Sequence, residues 1–139
     1  MKWLGWALRL GIAAVTVLVL YGLAPVILNE WRGLDACPKL GTLPACYIAG
    51  LGYVAMAIAV LFAPRRLPAL FLLGWAPVFA LALTGSTMEI LGHPTCPASP
   101  TGTPMCFYSL AVASLLLPAF WVGRRLQRDV QTAAHFGRP

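Results

Sequence analysis

Long apolar runs alternate with short polar connections along the whole chain. Residues 10–28, 46–63, 67–88 and 105–123 contain no Asp, Glu, Lys or Arg. A stretch of about 20 apolar residues is long enough for a helix to cross the hydrocarbon core of a bilayer. The pattern therefore predicts an all-α membrane protein in which four transmembrane helices form one domain.

The connections between these runs differ in length. Only residues 64–66 separate the second run from the third, so those two helices are predicted to be antiparallel neighbours. Residues 29–45 and 89–104 form two longer loops, and a short basic tail of residues 124–139 follows the fourth run. In the tail, Leu126, Val130 and Ala134 recur every four residues, which predicts a short basic helix lying on the cytoplasmic surface of the membrane.

Lysine and arginine are concentrated in one set of connections. Short cytoplasmic segments of membrane proteins carry an excess of these residues. The two longer loops hold only Arg32 and Lys39, whereas the other segments hold Lys2, Arg9, Arg65, Arg66, Arg124, Arg125, Arg128 and Arg138. This distribution predicts a multi-pass protein of a bacterial inner membrane, with both ends of the chain cytoplasmic and the two longer loops periplasmic.

Composition excludes several classes of protein. Hydrophobic residues make up 60% of the chain and charged residues 10%, and the mean hydropathy is +0.79. A soluble domain carries about 25% charged residues. The formal net charge of +6 comes mostly from residues beside the apolar runs, and no basic stretch is interleaved with aromatic residues as in a nucleic-acid platform. The expected partner is the lipid bilayer, and no nucleic acid is expected.

A sequence unit occurs twice at an offset of 59 to 60 residues. The motif E-x2-G-x3-C-P begins at Glu30 and again at Glu89, and P-x-C-[YF] follows it in both copies. Each copy then continues through a span to R-R-L. Because Glu, Cys and Pro are rarer here than Leu or Ala, we interpret the recurrence as a tandem duplication of a helical hairpin, with units at residues 10–67 and 68–126. An even number of spans separates the copies, so a pseudo-twofold axis along the membrane normal is predicted.

All four cysteines lie in or beside the two longer loops, where an oxidising compartment favours disulfides. Four cysteines allow three connectivities, and the simplest pairs Cys37 with Cys46 and Cys96 with Cys106. A disulfide that closes a loop of ten or eleven residues stabilises it by about 2–3 kcal/mol. This stabilisation alone is sufficient to explain the cysteines as structural disulfides. The close cysteine pairs typical of a zinc site are absent, so no metal is expected.

The small helical bundle with extracytoplasmic cysteines resembles, in topology and cysteine number, the DsbB and vitamin K epoxide reductase families. This resemblance implies a quinone-linked thiol–disulfide oxidoreductase, and it is the first alternative function. The spacings here are C-x8-C and C-x9-C, and the C-x-x-C of those families does not occur. The span after Cys46 also lacks a basic residue that could bind a quinone carbonyl.

Two carboxylates recur with the repeat. Glu30 and Glu89 each precede a loop cysteine by seven residues, at the predicted outer ends of the first and third helices. One hypothesis is that each accepts hydrogen bonds from the turn of its own loop. The other is a shared polar site, to which His93 could contribute, that binds a cation or relays protons. A small transporter or channel is therefore the second alternative function.

No hydrolase, kinase, dinucleotide-binding or P-loop motif is present in the sequence. The sequence therefore favours a non-catalytic accessory or binding subunit of a larger membrane complex, with other membrane subunits as its partners. No catalytic residue and no cofactor are expected, apart from a quinone under the first alternative.

Overall fold

The computed structural model describes residues 2–34, 37–62, 68–99 and 102–136, and it is all-helical apart from the loops. Its long helices are α1 (Lys2–Trp31), α2 (Ala45–Phe62), α3 (Pro68–Ile90) and α4 (Met105–Phe136). All four are long and apolar enough to cross a membrane. This confirms the prediction of an all-helical chain with four helices suited to span a membrane. The predicted link at residues 64–66 and the end of the tail from residue 137 lie outside the described residues.

Two helices extend beyond the predicted spans. α1 begins at Lys2, well before the predicted start at residue 10, and α4 continues through the basic tail to Phe136. Residues 124–136 include three Arg, two Gln and two Ala, which are good helix formers. The apolar run therefore marks the part suited to the membrane, while local propensity extends the helix past it.

The helices pack in a ring, in which α1 and α3 each contact both α2 and α4. Large apolar side chains such as Leu18, Leu73 and Leu115 are exposed on the outside of this ring. An outer surface of this kind is suited to lipid. Thr16 is buried inside the bundle, and its hydroxyl donates to the Ile12 carbonyl at 2.7 Å within the same helix.

Glycines bring α2 and α3 into backbone contact. A Cβ atom placed on Gly52 would lie 2.6 Å from the Gly74 carbonyl oxygen, and one placed on Gly74 would lie 2.5 Å from the Gly52 carbonyl oxygen. Small residues allow this close approach between membrane helices, where packing rather than the hydrophobic effect drives association.

The end of the bundle nearest the Arg124 side chain is tightly packed. The rings of Phe71 and Phe120 stack with centroids 3.9 Å apart, and the Arg124 guanidinium lies 5.7 Å from the centre of the Phe120 ring. Further toward the middle, Trp75 Nε1 donates to the Ala113 carbonyl at 2.8 Å. These contacts close the bundle at the end opposite the cysteine loops.

Each cysteine loop contains a small antiparallel element. In the first loop, β1 (Lys39–Leu40) pairs with β2 (Leu43–Pro44), and Lys39 lies opposite Pro44. In the second loop, an isolated bridge joins Ala98 to Pro104. The turns use Gly41 and Gly102, whose φ angles of 68° and 80° favour glycine.

Candidate functional site: two closed loops above an apolar cavity

The helices that lead into the loops end in the same way. At the end of α1, Gly33 N donates to the Glu30 carbonyl at 3.0 Å and Leu34 N donates to the Asn29 carbonyl at 3.1 Å. This pair of bonds is a Schellman motif, which needs a residue with positive φ, usually glycine; here Gly33 has a φ of 78°. The corresponding bonds at the end of α3 run from Gly92 N to the Glu89 carbonyl at 3.1 Å and from His93 N to the Met88 carbonyl at 3.0 Å.

The two repeated carboxylates accept hydrogen bonds from their own loops. Glu30 Oε2 accepts from Cys37 N at 3.1 Å. Glu89 Oε2 accepts from Thr95 N at 3.1 Å and from Cys96 N at 3.4 Å. Hydrogen bonds to an ionised acceptor are stronger than neutral ones, so each carboxylate holds the start of its loop against the helix that precedes it.

The far side of each loop is fixed by a bond at the start of the next helix. Ala45 N donates to the Pro38 carbonyl, and Met105 N donates to the Pro97 carbonyl, both at 3.0 Å. The first N–H groups of a helix have no partner within the helix itself. The carbonyl of the proline after the first cysteine of each pair accepts one of these N–H groups. Each loop is therefore attached to the helices on both of its sides.

The cysteines of each loop lie at disulfide distance from one another. The Cα atoms of Cys37 and Cys46 are 6.1 Å apart, and those of Cys96 and Cys106 are 6.0 Å apart. Both distances are within the range of protein disulfides. Each pair belongs to a single loop, and no cysteine among the residues that the structure describes is free.

The two disulfides rest on different surfaces. Cys37 and Cys46 are buried in a small cluster with Val26 of α1. The residue 59 positions after Val26 is Gly85 of α3. A Cβ atom on Gly85 would lie 2.6 Å from Cys106 Sγ and 2.9 Å from Cys96 Sγ, so the second disulfide sits directly against the helix backbone.

An apolar cavity of about 600 Å³ lies between the helices below the loops. Its walls come from all four helices and include Val19, Leu23, Ala49, Ala82 and Val112. The loops contribute Cys96 and the two prolines Pro38 and Pro97 to the lining, and the first turns of α2 and α4 contribute Cys46 and Cys106. The bundle is therefore packed at one end and hollow at the end that carries the disulfides.

The hydroxyl of Tyr53, which is buried at the cavity, has no hydrogen-bond partner among the described residues. Tyr53 of α2 is 1% exposed and lines the cavity. Its hydroxyl lies beside Ser109 of α4 but does not meet hydrogen-bond geometry with it or with another described group. Polar groups at such depth normally have a partner.

The side chain of His93 is exposed, and its backbone N–H belongs to the Schellman motif at the end of α3. Within residues 2–34, 37–62, 68–99 and 102–136, no three or more His, Cys, Asp or Glu residues cluster closely enough to hold a metal ion. A shared site of Glu30, Glu89 and His93 stays a prediction.

Sequence reasoning missed the cavity. Small residues facing the bundle centre, such as Ala49 and Ala82, create part of its volume. The signal was present as a pattern of small residues, but the sequence alone did not indicate which of them face inward.

Comparison with known proteins found no match among family models, curated proteins or solved structures. The fold and the cysteines define a class at a coarse level: a multi-pass α-helical membrane protein with two cysteine pairs at disulfide distance. Any function has to be argued from the chemistry of the loops and the cavity.

Proposed function

We propose that this chain is a non-catalytic integral membrane protein that serves as an accessory or binding subunit of a larger membrane complex. One observation carries the proposal: the reactive groups of both loops are engaged within their own loops. Each cysteine faces its loop partner, and each carboxylate accepts backbone hydrogen bonds from the loop that follows it. Loops closed in this way are rigid, and rigid surfaces bind partners at low entropic cost.

The proposed surroundings are a bacterial inner membrane, with both ends of the chain in the cytoplasm and the loops in the periplasm. Arg9 and Arg124 line one small pocket at the packed end of the bundle, and the disulfides are at the other end. The positive-inside rule assigns the arginine-bearing end to the cytoplasm, and the periplasm favours disulfides.

We further propose that the chain is a duplicated hairpin with a pseudo-twofold axis. Support comes from contacts that recur at offsets of 59 and 60: the Schellman ends, the carboxylate bonds, and the Pro38 and Pro97 carbonyl bonds. Buried positions recur at the same offsets. The pairs of buried residues are Ile12 with Phe71, Met56 with Leu116, and Val60 with Phe120.

The loops present apolar side chains that a partner could cover. Leu34 and Leu43 of the first loop are 65% and 58% exposed, and Leu91 at the start of the second is 67% exposed. In the proposed orientation, Leu43 belongs to the hairpin above the membrane rather than to a lipid-facing helix. An exposed apolar residue on a rigid loop is suited to a protein interface.

Site-specific photocrosslinking in native membranes tests this function. A photoreactive amino acid at Leu43 should crosslink to one defined membrane protein, whereas the same group at Leu73, which is 71% exposed on the outside of α3, should label lipid. Replacing Cys37 and Cys46 by Ser should weaken the crosslink because the loop loses its staple, while the protein remains inserted. Crosslinks only to lipid, from both positions, would contradict the accessory-subunit proposal.

A specific observation favours one second candidate, a quinone-linked thiol–disulfide oxidoreductase. Cys96 and Cys106 both line the apolar cavity, where a membrane-soluble quinone could approach their disulfide. In such a reaction a partner dithiol is oxidised to a disulfide, and its two electrons and two protons pass through the Cys96–Cys106 pair to the quinone, giving the quinol. Purified protein that reduces quinone in the presence of a dithiol substrate, and loses this activity in Cys106→Ser, would favour this candidate over the first.

A further inference from the structure

We propose that the cavity below the loops binds a single-chain membrane lipid that carries one hydroxyl or carbonyl oxygen, and that Tyr53 is its hydrogen-bonding residue. This inference is independent of the proposed accessory role, since it concerns the interior of the bundle rather than the surface of the loops.

The size of the cavity indicates a ligand rather than a packing defect. The cavity is partly open to the outside of the bundle, and one water occupies about 30 Å³ in the liquid. A volume of about 600 Å³ therefore accommodates roughly twenty non-hydrogen atoms at that density. This volume also falls within the range of small-molecule sites, about 300–1,000 Å³.

The lining selects for an apolar molecule. Most of the exposed wall surface is apolar, with Val19, Leu23 and Val112 among its aliphatic residues. Polar residues also line it, among them Lys39, Thr84 and Ser109. Water is poorly accommodated in a cavity of this character, whereas a hydrocarbon chain would restore the dispersion contacts that an empty wall lacks. The four surrounding helices are suited to a membrane, where lipid chains are the most abundant apolar molecules.

The polar contact is supplied by Tyr53. Its side chain is 1% exposed, and its hydroxyl lies beside that of Ser109 without completing a hydrogen bond. Leaving a buried hydroxyl without a partner costs about 1–3 kcal/mol. An oxygen on the ligand would remove this cost, which selects a chain with one hydroxyl or carbonyl group over a plain hydrocarbon.

The disulfides complete the site from above. Cys46, Cys96 and Cys106 line the cavity together with Pro38 and Pro97. Because each loop is tied to its own helices, this roof is held in place without contact from a ligand. Ala82 of α3 also lines the cavity and is buried, so a larger residue there would project into the volume that the ligand needs.

Photolabelling with a defined probe tests the inference. The probe is a 16-carbon alcohol with a diazirine on its chain, added to the full chain in phosphatidylcholine nanodiscs, and labelled peptides are identified by mass spectrometry. We expect saturable labelling of residues that line the cavity, and competition by unlabelled 1-hexadecanol. Ala82→Phe should reduce labelling about tenfold or more. Ala80→Phe, at an exposed position of the same helix, should stay within twofold of the wild type.

Tyr53→Phe distinguishes the effect of the hydrogen bond on ligand affinity from the effect of the cavity volume. This variant keeps the ring and removes the hydroxyl, so the apparent affinity for the alcohol should fall about tenfold while an alkane probe of equal length is affected less than twofold. If Ala82→Phe does not fold, Ala49→Leu on α2 provides the same obstruction from another wall. Cavity labelling unchanged by a folded obstructing variant, or label confined to outward-facing residues, would overturn the proposal.

Discussion

The contact between Gly85 and the second disulfide gives a prediction whose size follows from the geometry. Substituting Ala adds one methyl group at a point 2.6 Å from Cys106 Sγ and 2.9 Å from Cys96 Sγ. Ordinary van der Waals contacts of a Cβ atom begin at about 3.4 Å, so the nearer sulfur must retreat by about 0.8 Å. Overpacking of this kind costs about 1–3 kcal/mol, against a helix-propensity gain of about 0.5–1 kcal/mol for replacing Gly by Ala. The difference leaves a net loss of about 1 kcal/mol of unfolding free energy for Gly85→Ala, and at most about 2.5 kcal/mol.

Gly11→Ala is the matched control, because no atom lies within 4 Å of the Cβ position at Gly11 of α1. It should be neutral or stabilising. Reversible unfolding in mixed micelles, followed by helical circular dichroism, measures both variants with their disulfides intact. A reductant titration adds an internal comparison, since Cys96–Cys106 should become easier to reduce in Gly85→Ala while Cys37–Cys46 is unchanged. If Gly85→Ala were as stable as Gly11→Ala, the packing of the second disulfide against α3 would be refuted.

Three further predictions concern the anchors, the helix contact and the topology. Glu30→Gln and Glu89→Gln should each cost about 1 kcal/mol by the same unfolding assay, with the two losses additive within about 0.5 kcal/mol; stronger coupling would instead support a shared carboxylate site. Gly74→Ala should cost about 1–3 kcal/mol because its Cβ would meet a backbone oxygen of α2 at 2.5 Å, and a neutral result would contradict the backbone contact. A membrane-impermeant thiol reagent applied to intact cells should label a cysteine introduced at Ser99, and a reporter fused after Arg66 should be active in the cytoplasm; the opposite pattern would reverse the proposed orientation.

The helices could be predicted from the sequence because the membrane imposes a simple rule. Residues 46–63 and 67–88 were predicted as spans, and the observed helices are Ala45–Phe62 and Pro68–Ile90. An uncharged run of that length has no other stable form in a bilayer, since every backbone polar group needs an internal partner. A short helix was also predicted in the basic tail, but as a separate element on the membrane surface. The structure instead continues α4 without a break to Phe136.

The inward faces of the helices could not be predicted. Membrane helices are apolar on all sides, so periodicity does not distinguish a lipid-facing residue from a buried one. Gly52 and Gly74 bring the backbones of α2 and α3 into contact, yet no sequence spacing links them. Ala82 lines the cavity while Ala80, two residues earlier, is exposed. The position of the cavity depends on which face of each helix is turned inward. For the same reason, the sequence did not identify Tyr53 as part of a site.

The most direct test of the closed-loop account is the connectivity and reduction potential of the two cysteine pairs. Peptide mapping without reduction reports the connectivity, and thiol labelling against a series of redox buffers reports the potential. We expect only Cys37–Cys46 and Cys96–Cys106, both fully oxidised in purified protein, with potentials below about −300 mV as in structural disulfides. A link between the two loops, or a pair that titrates near −200 mV, would contradict this expectation and favour the oxidoreductase.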